Sequence, residues 1–324
     1  MDRYQRQTML PEIGEAGQQR LSRARVLVVG AGGLSATLLP LLAGAGVGFI
    51  RLYDGDRVEL HNLHRQTLFG VDDVGQPKAL CAQRALAQRN PECEVDAHPQ
   101  SLSASLLPQA LAEIDVVVDA ADNFAITYQL SDACYARGLP LICASVLGRK
   151  GYVGGFCGGA PGYRALFPHL PTASADCNTA GVMGPAVATL GAMQAQMVLT
   201  VLLKLTPSPL GCMIHCDLAS WHMRQFRFDD APEPEPEAPG TPFIDLAMLT
   251  GEDCIVELRS AEEAPVSVAE GALRILPEQI AGWQPPADRR VVLVCASGMR
   301  AARAAENLAA RGVTRLALMA AKAL

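Results

Sequence analysis

The stretch from Val26 to Lys78 constrains the fold most, because strand and helix signals alternate along it in the order that builds a parallel sheet. The apolar run Val26-Leu-Val-Val-Gly30 reads as a buried parallel strand, followed by the tight turn Ala31-Gly32-Gly33 and an Ala/Leu-rich helix ending near Gly46. A second strand, Phe49-Ile-Arg-Leu-Tyr53, then delivers Asp54 to its carboxyl edge. Such a strand, turn and helix aim backbone N–H groups and the positive helix end at a phosphate, while an acid after the next strand suits ribose hydroxyls. The spacing is Gly30-x-Gly32-x-x-Ser35, with serine in place of the usual third glycine, so alone it is a weak signal. Asn62-Leu-His-Arg65-Gln66 and Gln76-Pro-Lys78 sharpen it. A nicotinamide dehydrogenase has no need for an Asn, two cations and a Gln beyond that strand, whereas a triphosphate being cleaved does.

The 324 residues suffice for two domains, and with 50% hydrophobic and 19% charged residues they fit an α/β protein whose sheet is covered on both faces. A net charge of −6 argues against a general nucleic-acid or acidic-membrane binder. Met1-Asp-Arg-Tyr-Gln-Arg6 lacks a following apolar core and no apolar run is read as reaching membrane-spanning length, so the expected location is the cytoplasm. In that reducing compartment the ten cysteines are expected as free thiols.

Ile114–Asp119 reads as the next buried strand, with Ala120-Ala-Asp122-Asn123 at its carboxyl end, where open α/β sheets place ligands. Helix Phe124–Arg137 and strand Leu139–Val146 complete a doubly wound, Rossmann-like, mostly parallel sheet; Pro91–Ser105 reads as a variable segment. Short strands at Gly151–Phe156, Cys212–Asp217 and Met223–Phe228 suggest an antiparallel extension. The apolar helix from about Val182 to Lys204, interrupted by Gln194 and Gln196, reads as a core or interface element. Alternating Pro and Glu make residues 230–242 a semi-rigid linker between domains at 1–229 and 243–324. The second domain carries strands Cys254–Leu258 and Val291–Val294, the loop Cys295–Arg300, helix Ala301–Arg311 and strand Arg315–Leu318.

The segments Arg3-Tyr-Gln-Arg6-Gln, Gly30-Ala-Gly-Gly-Leu-Ser35, Asp54-Gly-Asp56, Asn62–Gln66, Gly75-Gln-Pro-Lys78 and Asp119-Ala-Ala-Asp122-Asn123 together resemble the ThiF/MoeB/HesA family, over residues 3–228 in consistent order. These are bacterial relatives of ubiquitin-activating enzymes. A cysteine between a strand and a helix start, with Glu257-Leu-Arg259 upstream, makes the C-terminal part resemble a rhodanese-like sulfurtransferase domain; it is short, ending at Leu324.

The resemblance implies that Gly30, Gly32 and Gly33 approach ATP, Asp54 binds the ribose, Asn62, Arg65, Gln66 and Lys78 surround the phosphates, and Asp122 holds Mg2+ or the reacting centre. Arg6 resembles an arginine that relatives place on the ATP of a dimer partner. Cys177, in a polar, glycine-flanked loop, resembles a cysteine that links to the activated carboxyl end or receives sulfur. Cys295 would carry a persulfide, favoured by N–H groups of the Ala296–Arg300 loop and the helix end. Cys81, Cys134, Cys143, Cys157 and Cys254 read as packing residues. In Cys212-Met-Ile-His-Cys216, strand alternation puts His215 opposite the two cysteines, against a metal site. Many relatives carry two Cys-x-x-Cys pairs that bind zinc; Gly162-Tyr-Arg-Ala165 and the linker lack both, so no structural zinc is expected and the nearby loop must be held by packing alone or be more mobile.

The resulting expectation is an adenylyltransferase with sulfurtransferase activity, using ATP and Mg2+ on the C-terminal glycine of a ubiquitin-like sulfur carrier ending in Gly-Gly. A ThiS-like carrier ranks first and a MoaD-like one second. The other expected partners are a persulfide donor such as a cysteine desulfurase and a second copy of the chain. Alternatives are activation of a peptide or small carboxylate, a degenerate scaffold, or an NAD(P)H oxidoreductase.

Overall fold

The computed structural model describes residues 3–170, 181–234 and 240–321. The larger sheet has eight strands: β1 Arg25–Val29, β2 Phe49–Tyr53, β3 Glu94–His98, β4 Val116–Asp119, β5 Pro140–Leu147, β6 Lys150–Cys157, β7 Cys212–Asp217 and β8 His222–Arg227. Their order is β3-β2-β1-β4-β5-β6-β7-β8, parallel from β3 to β5 and antiparallel beyond. Val26, Leu27 and Val28 are wholly buried, as a central parallel strand covered on both faces requires. The connection reverses direction between β1 and β4, which opens a crevice at their carboxyl ends.

Helices α1 Gly14–Arg23, α2 Gly33–Ala45, α3 Lys78–Arg89, α4 Phe124–Arg137 and α5 Gly184–Leu203 cover the sheet. The Asn123 side chain caps α4 by accepting from Ala125 N–H at 2.9 Å, and Gly138 ends it in the left-handed region. By length and composition α5 could cross a membrane, which corrects the reading that no apolar run is long enough. Gln194, in its middle, is wholly buried and donates to the carbonyls of Asp119 and Ile142, tying the helix to the sheet beneath it.

The segment read as variable, Pro91–Ser105, contains β3, the outer strand of the parallel half. Within β3 itself only Val95 is a buried apolar residue. An edge strand can instead pair through side chains such as Arg51–Asp96, at 2.9 Å, so an apolar run is not needed to form it.

A second, parallel sheet in the order β10-β9-β11-β12 comprises β9 Cys254–Glu257, β10 Leu273–Arg274, β11 Val291–Cys295 and β12 Leu316–Ala320, with helix α6 Met299–Ala310 packed on it. The Glu233 carboxylate accepts from Gly162 N–H, and Gly240 lies against the Arg164 guanidinium. Ser105 donates from both N–H and Oγ to Asp245, at 2.8 and 2.5 Å, and His169 meets Glu306 at 3.0 Å. One continuous apolar cluster runs from Leu107, Ala125 and Tyr128 through Phe243 to Val256, Leu293 and Ala301. The C-terminal sheet and its helix thus pack against the N-terminal part of the chain.

Candidate functional site

A cavity of about 640 Å³ opens at the switch point, lined by Gly30, Gly32, Gly33, Asp54, Asn62, Arg65, Gln66, Lys78 and Asp122. It therefore gathers all nine residues that the sequence nominated for nucleotide binding. Gly30 has φ +98°, and a Cβ there would meet the Ala120 carbonyl at 2.7 Å, so β1 and β4 can converge only on glycine. A Cβ on Gly33 would fall 2.6 Å from Val187, while one on Gly32 would meet only Gln66 Nε2, in ordinary contact at 3.9 Å. Ser35 is wholly buried and its hydroxyl donates to the Gly30 carbonyl. The side chain that replaces the third glycine thus turns away from the cavity and braces the turn.

Asp54 accepts from Ala31 N–H at 2.7 Å and from Asp56 N–H at 2.8 Å, which fixes the glycine turn to the end of β2. Burial pushes its carboxyl above the ordinary range against the pull of those two bonds. Lys78, its side chain only 7% exposed, pairs with Asp56 at 3.1 Å. Arg65 Nη1 donates to the His61 carbonyl at 3.3 Å and lies 3.0 Å from His64 Nε2. Asn62 Oδ1 accepts from Glu59 N–H, at 3.3 Å. Two groups are left open. Gln66 Oε1 is buried without a partner, and Asp122 is exposed with no hydrogen bond or ion pair among the described residues. An orphaned buried amide oxygen and an unpaired carboxylate lining one cavity suit a hard cation or its waters.

The structure adds residues that sequence reading missed. Asp56, Asp119, Thr127 and Tyr53 also line the cavity, and Tyr53 stacks on His98 at 4.3 Å. Asp56 and Asp119 stood inside quoted motifs; Thr127 carried only the signal of a polar residue on a buried helix face. A second cavity, at the amino ends of β1, β4 and β5, is lined by Arg20, Arg23 and Lys204, which lie at the carboxyl ends of α1 and α5 and complement the helix dipoles there.

Arg6 is not part of the cavity; it sits exposed on the helical turn Gln5–Thr8, near Met9. Cys177 lies outside the described residues. Cys295 ends β11 with no exposed surface, and its sulfur accepts from Ala301 N–H at 3.3 Å. That bond comes from the first turn of α6, the helix end named in the expected cradle, and among the described residues no backbone N–H of residues 296–300 reaches the sulfur. A Cβ on Gly298 would fall 2.6 Å from Phe243 and 3.4 Å from Ala125, so the loop after Cys295 is capped by the turn that begins α4. The nine described cysteines, Cys81, Cys134, Cys143, Cys157 and Cys254 among them, are buried and free.

Among the described residues no group of three or more His, Cys, Asp or Glu is placed to hold a metal ion. At Gly162–Ala165 the loop is not held by packing alone. Arg164 makes a two-pronged pair with Asp132, at 2.7 and 2.9 Å, and lies 4.9 Å over the Tyr128 ring. Tyr163 bonds Tyr152 at 2.6 Å and stacks on Phe167. Asp132 is 43% exposed, so solvent screens the pair, and Arg164→Ala is expected to cost about 2 kcal/mol. Thermal melting would show that loss, and excess EDTA would leave the wild-type curve unchanged.

Residues 4–238 match the ThiF family profile. A sulfur carrier protein adenylyltransferase of Thermus thermophilus is 44% identical over 63% of this chain and 78% of its own length. The sulfur carrier protein ThiS adenylyltransferase of Escherichia coli is 40% identical over 60% of this chain and 78% of its own. Adenylyltransferase and sulfurtransferase MOCS3 of Drosophila grimshawi is 39% identical over 69% of this chain, which spans only 51% of it. Among solved structures, Escherichia coli MccB with MccA-N7isoASN shares the fold at TM-score 0.64 and 24% identity, over 72% of this chain and 74% of its own. By the extent of the profile match, which takes in every strand of the larger sheet, the chain belongs to the ThiF family.

Proposed function

We propose that the protein adenylates the C-terminal glycine of a ubiquitin-like sulfur carrier and supports its conversion to a thiocarboxylate. The observation that carries this reading is the cavity itself. A glycine turn, two cations and an unpartnered carboxylate converge where a nucleotide triphosphate would lie. The names of the relatives supply the substrate class.

In the step proposed, a carboxylate oxygen of the carrier's last glycine attacks the α-phosphorus of ATP. The bond to the oxygen bridging the α- and β-phosphorus breaks, giving acyl-AMP and pyrophosphate. The N–H groups at the start of α2 and the Arg65 and Lys78 cations offset the charge that builds on the departing pyrophosphate. Asp54, fixed to the glycine turn, presents its remaining lone pairs to the ribose hydroxyls, and Asn62 and Gln66 close the phosphate side. Asp122, in the cavity that Gln66 also lines, would hold Mg2+, which supplies further charge neutralisation when bound.

Cys295 serves in this reading as the persulfide carrier, loaded by a donor such as a cysteine desulfurase, and Cys177 as an acyl or sulfur acceptor. Arg6, exposed and outside its own cavity, would act on the ATP of a second copy. A ThiS-like carrier, for thiamine synthesis, ranks ahead of a MoaD-like one, for molybdenum cofactor synthesis. We place the protein in the cytoplasm, in keeping with its free thiols.

ATP–pyrophosphate exchange with each Gly-Gly-ended carrier tests the reading. Exchange that requires one carrier is expected. Cys295→Ala is expected to keep that exchange and to lower thiocarboxylate yield by at least tenfold, about the loss that follows removal of a nucleophile. Exchange with none, from a folded protein, would favour a small-carboxylate activator or a scaffold.

A further inference from the structure

We propose that Asp119 and Thr127 are positioning residues for adenylation, pinning the turn that carries Asp122 into the nucleotide cavity. The inference rests on the adenylation reading above. Asp122 has no side-chain partner among the described residues, so only the backbone of residues 120–123 sets where its carboxylate points. That backbone is tied at both ends by one buried side chain. Asp119 is 2% exposed; its Oδ1 accepts from Ala121 N–H at 3.1 Å and its Oδ2 from the Thr127 hydroxyl at 2.5 Å. The hydroxyl also reaches the Asn123 carbonyl at 3.4 Å, and the Asp119 carbonyl is held by Gln194 at 2.7 Å. Strand β4, the turn and the first coil of α4 are thereby locked to one another.

No cation pairs with Asp119 among the described residues. The titratable groups around it are Asp122 on the same turn, Cys134 from α4, Cys143 from β5 and Tyr152 from β6, and burial raises the thiols and the phenol, keeping them neutral. Burial pushes Asp119 up to about 6, while its bonds from Thr127 and Ala121 pull it down. When ionised it accepts from both donors. When protonated it donates to the Thr127 hydroxyl instead, and both bonds lose the strength that a charged acceptor gives them, so the turn is held less tightly.

Thr127→Val keeps the shape of the side chain and removes the donor. With a recombinant ThiS-type carrier ending in Gly-Gly, kcat for pyrophosphate exchange at pH 7.5 should fall about tenfold with KM for ATP little changed. The acid limb of the pH profile should move to higher pH, and Thr127→Ser should restore both. Calorimetric titration of ATP with and without Mg2+ reads the same turn without a carrier. The gain in ATP affinity conferred by Mg2+ should shrink in Thr127→Val and be normal in Thr127→Ser. Wild-type rates with an unmoved acid limb in Thr127→Val would overturn the inference, as would equal loss in the valine and serine variants. Absence of ATP binding by the wild type would instead remove the adenylation reading on which it stands.

Discussion

Asp122→Ala is expected to lower ATP–pyrophosphate exchange by about 10²–10³-fold, the scale on which one preorganised charge-stabilising group acts in a transition state. The fold should not notice. Asp122 is exposed into the cavity and makes no hydrogen bond or ion pair among the described residues, so its loss should move stability by no more than about 0.5 kcal/mol. That pairing of outcomes separates it from its neighbours. Lys78 is buried against Asp56, and Asp54 holds the glycine turn, so removing either disturbs structure and chemistry together. Exchange rates and melting curves of Asp122→Ala, measured side by side, check the prediction. A fall in both would show that Asp122 acts on the fold instead of the reacting phosphate.

The second large effect is on stability. Asp119, pushed up to about 6 by burial, stands above its unfolded value of 3.8. Between those values the folded chain holds a proton that the unfolded chain has released, so stability falls as pH rises from about 4 to 6. The loss, complete above pH 6, amounts to about 3 kcal/mol by linkage. Asp119→Asn cannot ionise and should lack that slope. Urea midpoints of the two proteins at pH 4.5 and 7.5 measure it as a difference of differences, which cancels the other carboxylates. Several of those, such as Asp96 and Asp253, are held below the ordinary range by arginines and slope the opposite way. Equal pH slopes in both proteins would refute the prediction. The cost borne by Asp119 at neutral pH is what a buried carboxylate incurs when its partners are a hydroxyl and an amide rather than a cation.

Much of the cavity was legible in the chain because its parts are local. Val26–Val29 announces a central strand by apolar content, Asp54 follows directly from the next strand, and Asp122-Asn123 sits where a strand end meets a helix cap. What was missed depends on partners distant in sequence. β3 carries little apolar signal because an outer strand needs only its ladder and a few cross-strand pairs. The bond between Asp119 and Thr127 joins a strand end to a helix interior, and neither residue type alone implies it. The Arg164–Asp132 pair spans 32 residues, so the loop that lacked zinc ligands gave no hint of its substitute. Cys295 was placed correctly between strand and helix, but its burial and the approach of Phe243 and Ala125 to Gly298 in the loop after it carry no local signal.

The shared apolar cluster makes the peptide connection redundant as a tether once the chain has folded. Tyr128 and Ala125 on one side and Phe243, Leu293 and Ala301 on the other belong to a single dry interior, reinforced by the Ser105–Asp245 bonds at its rim. Scission between Glu233 and Gly240 would therefore yield two polypeptides that travel as one particle. They would part only when that interior melts, and damage to either sheet would be felt as lost cooperativity in the other.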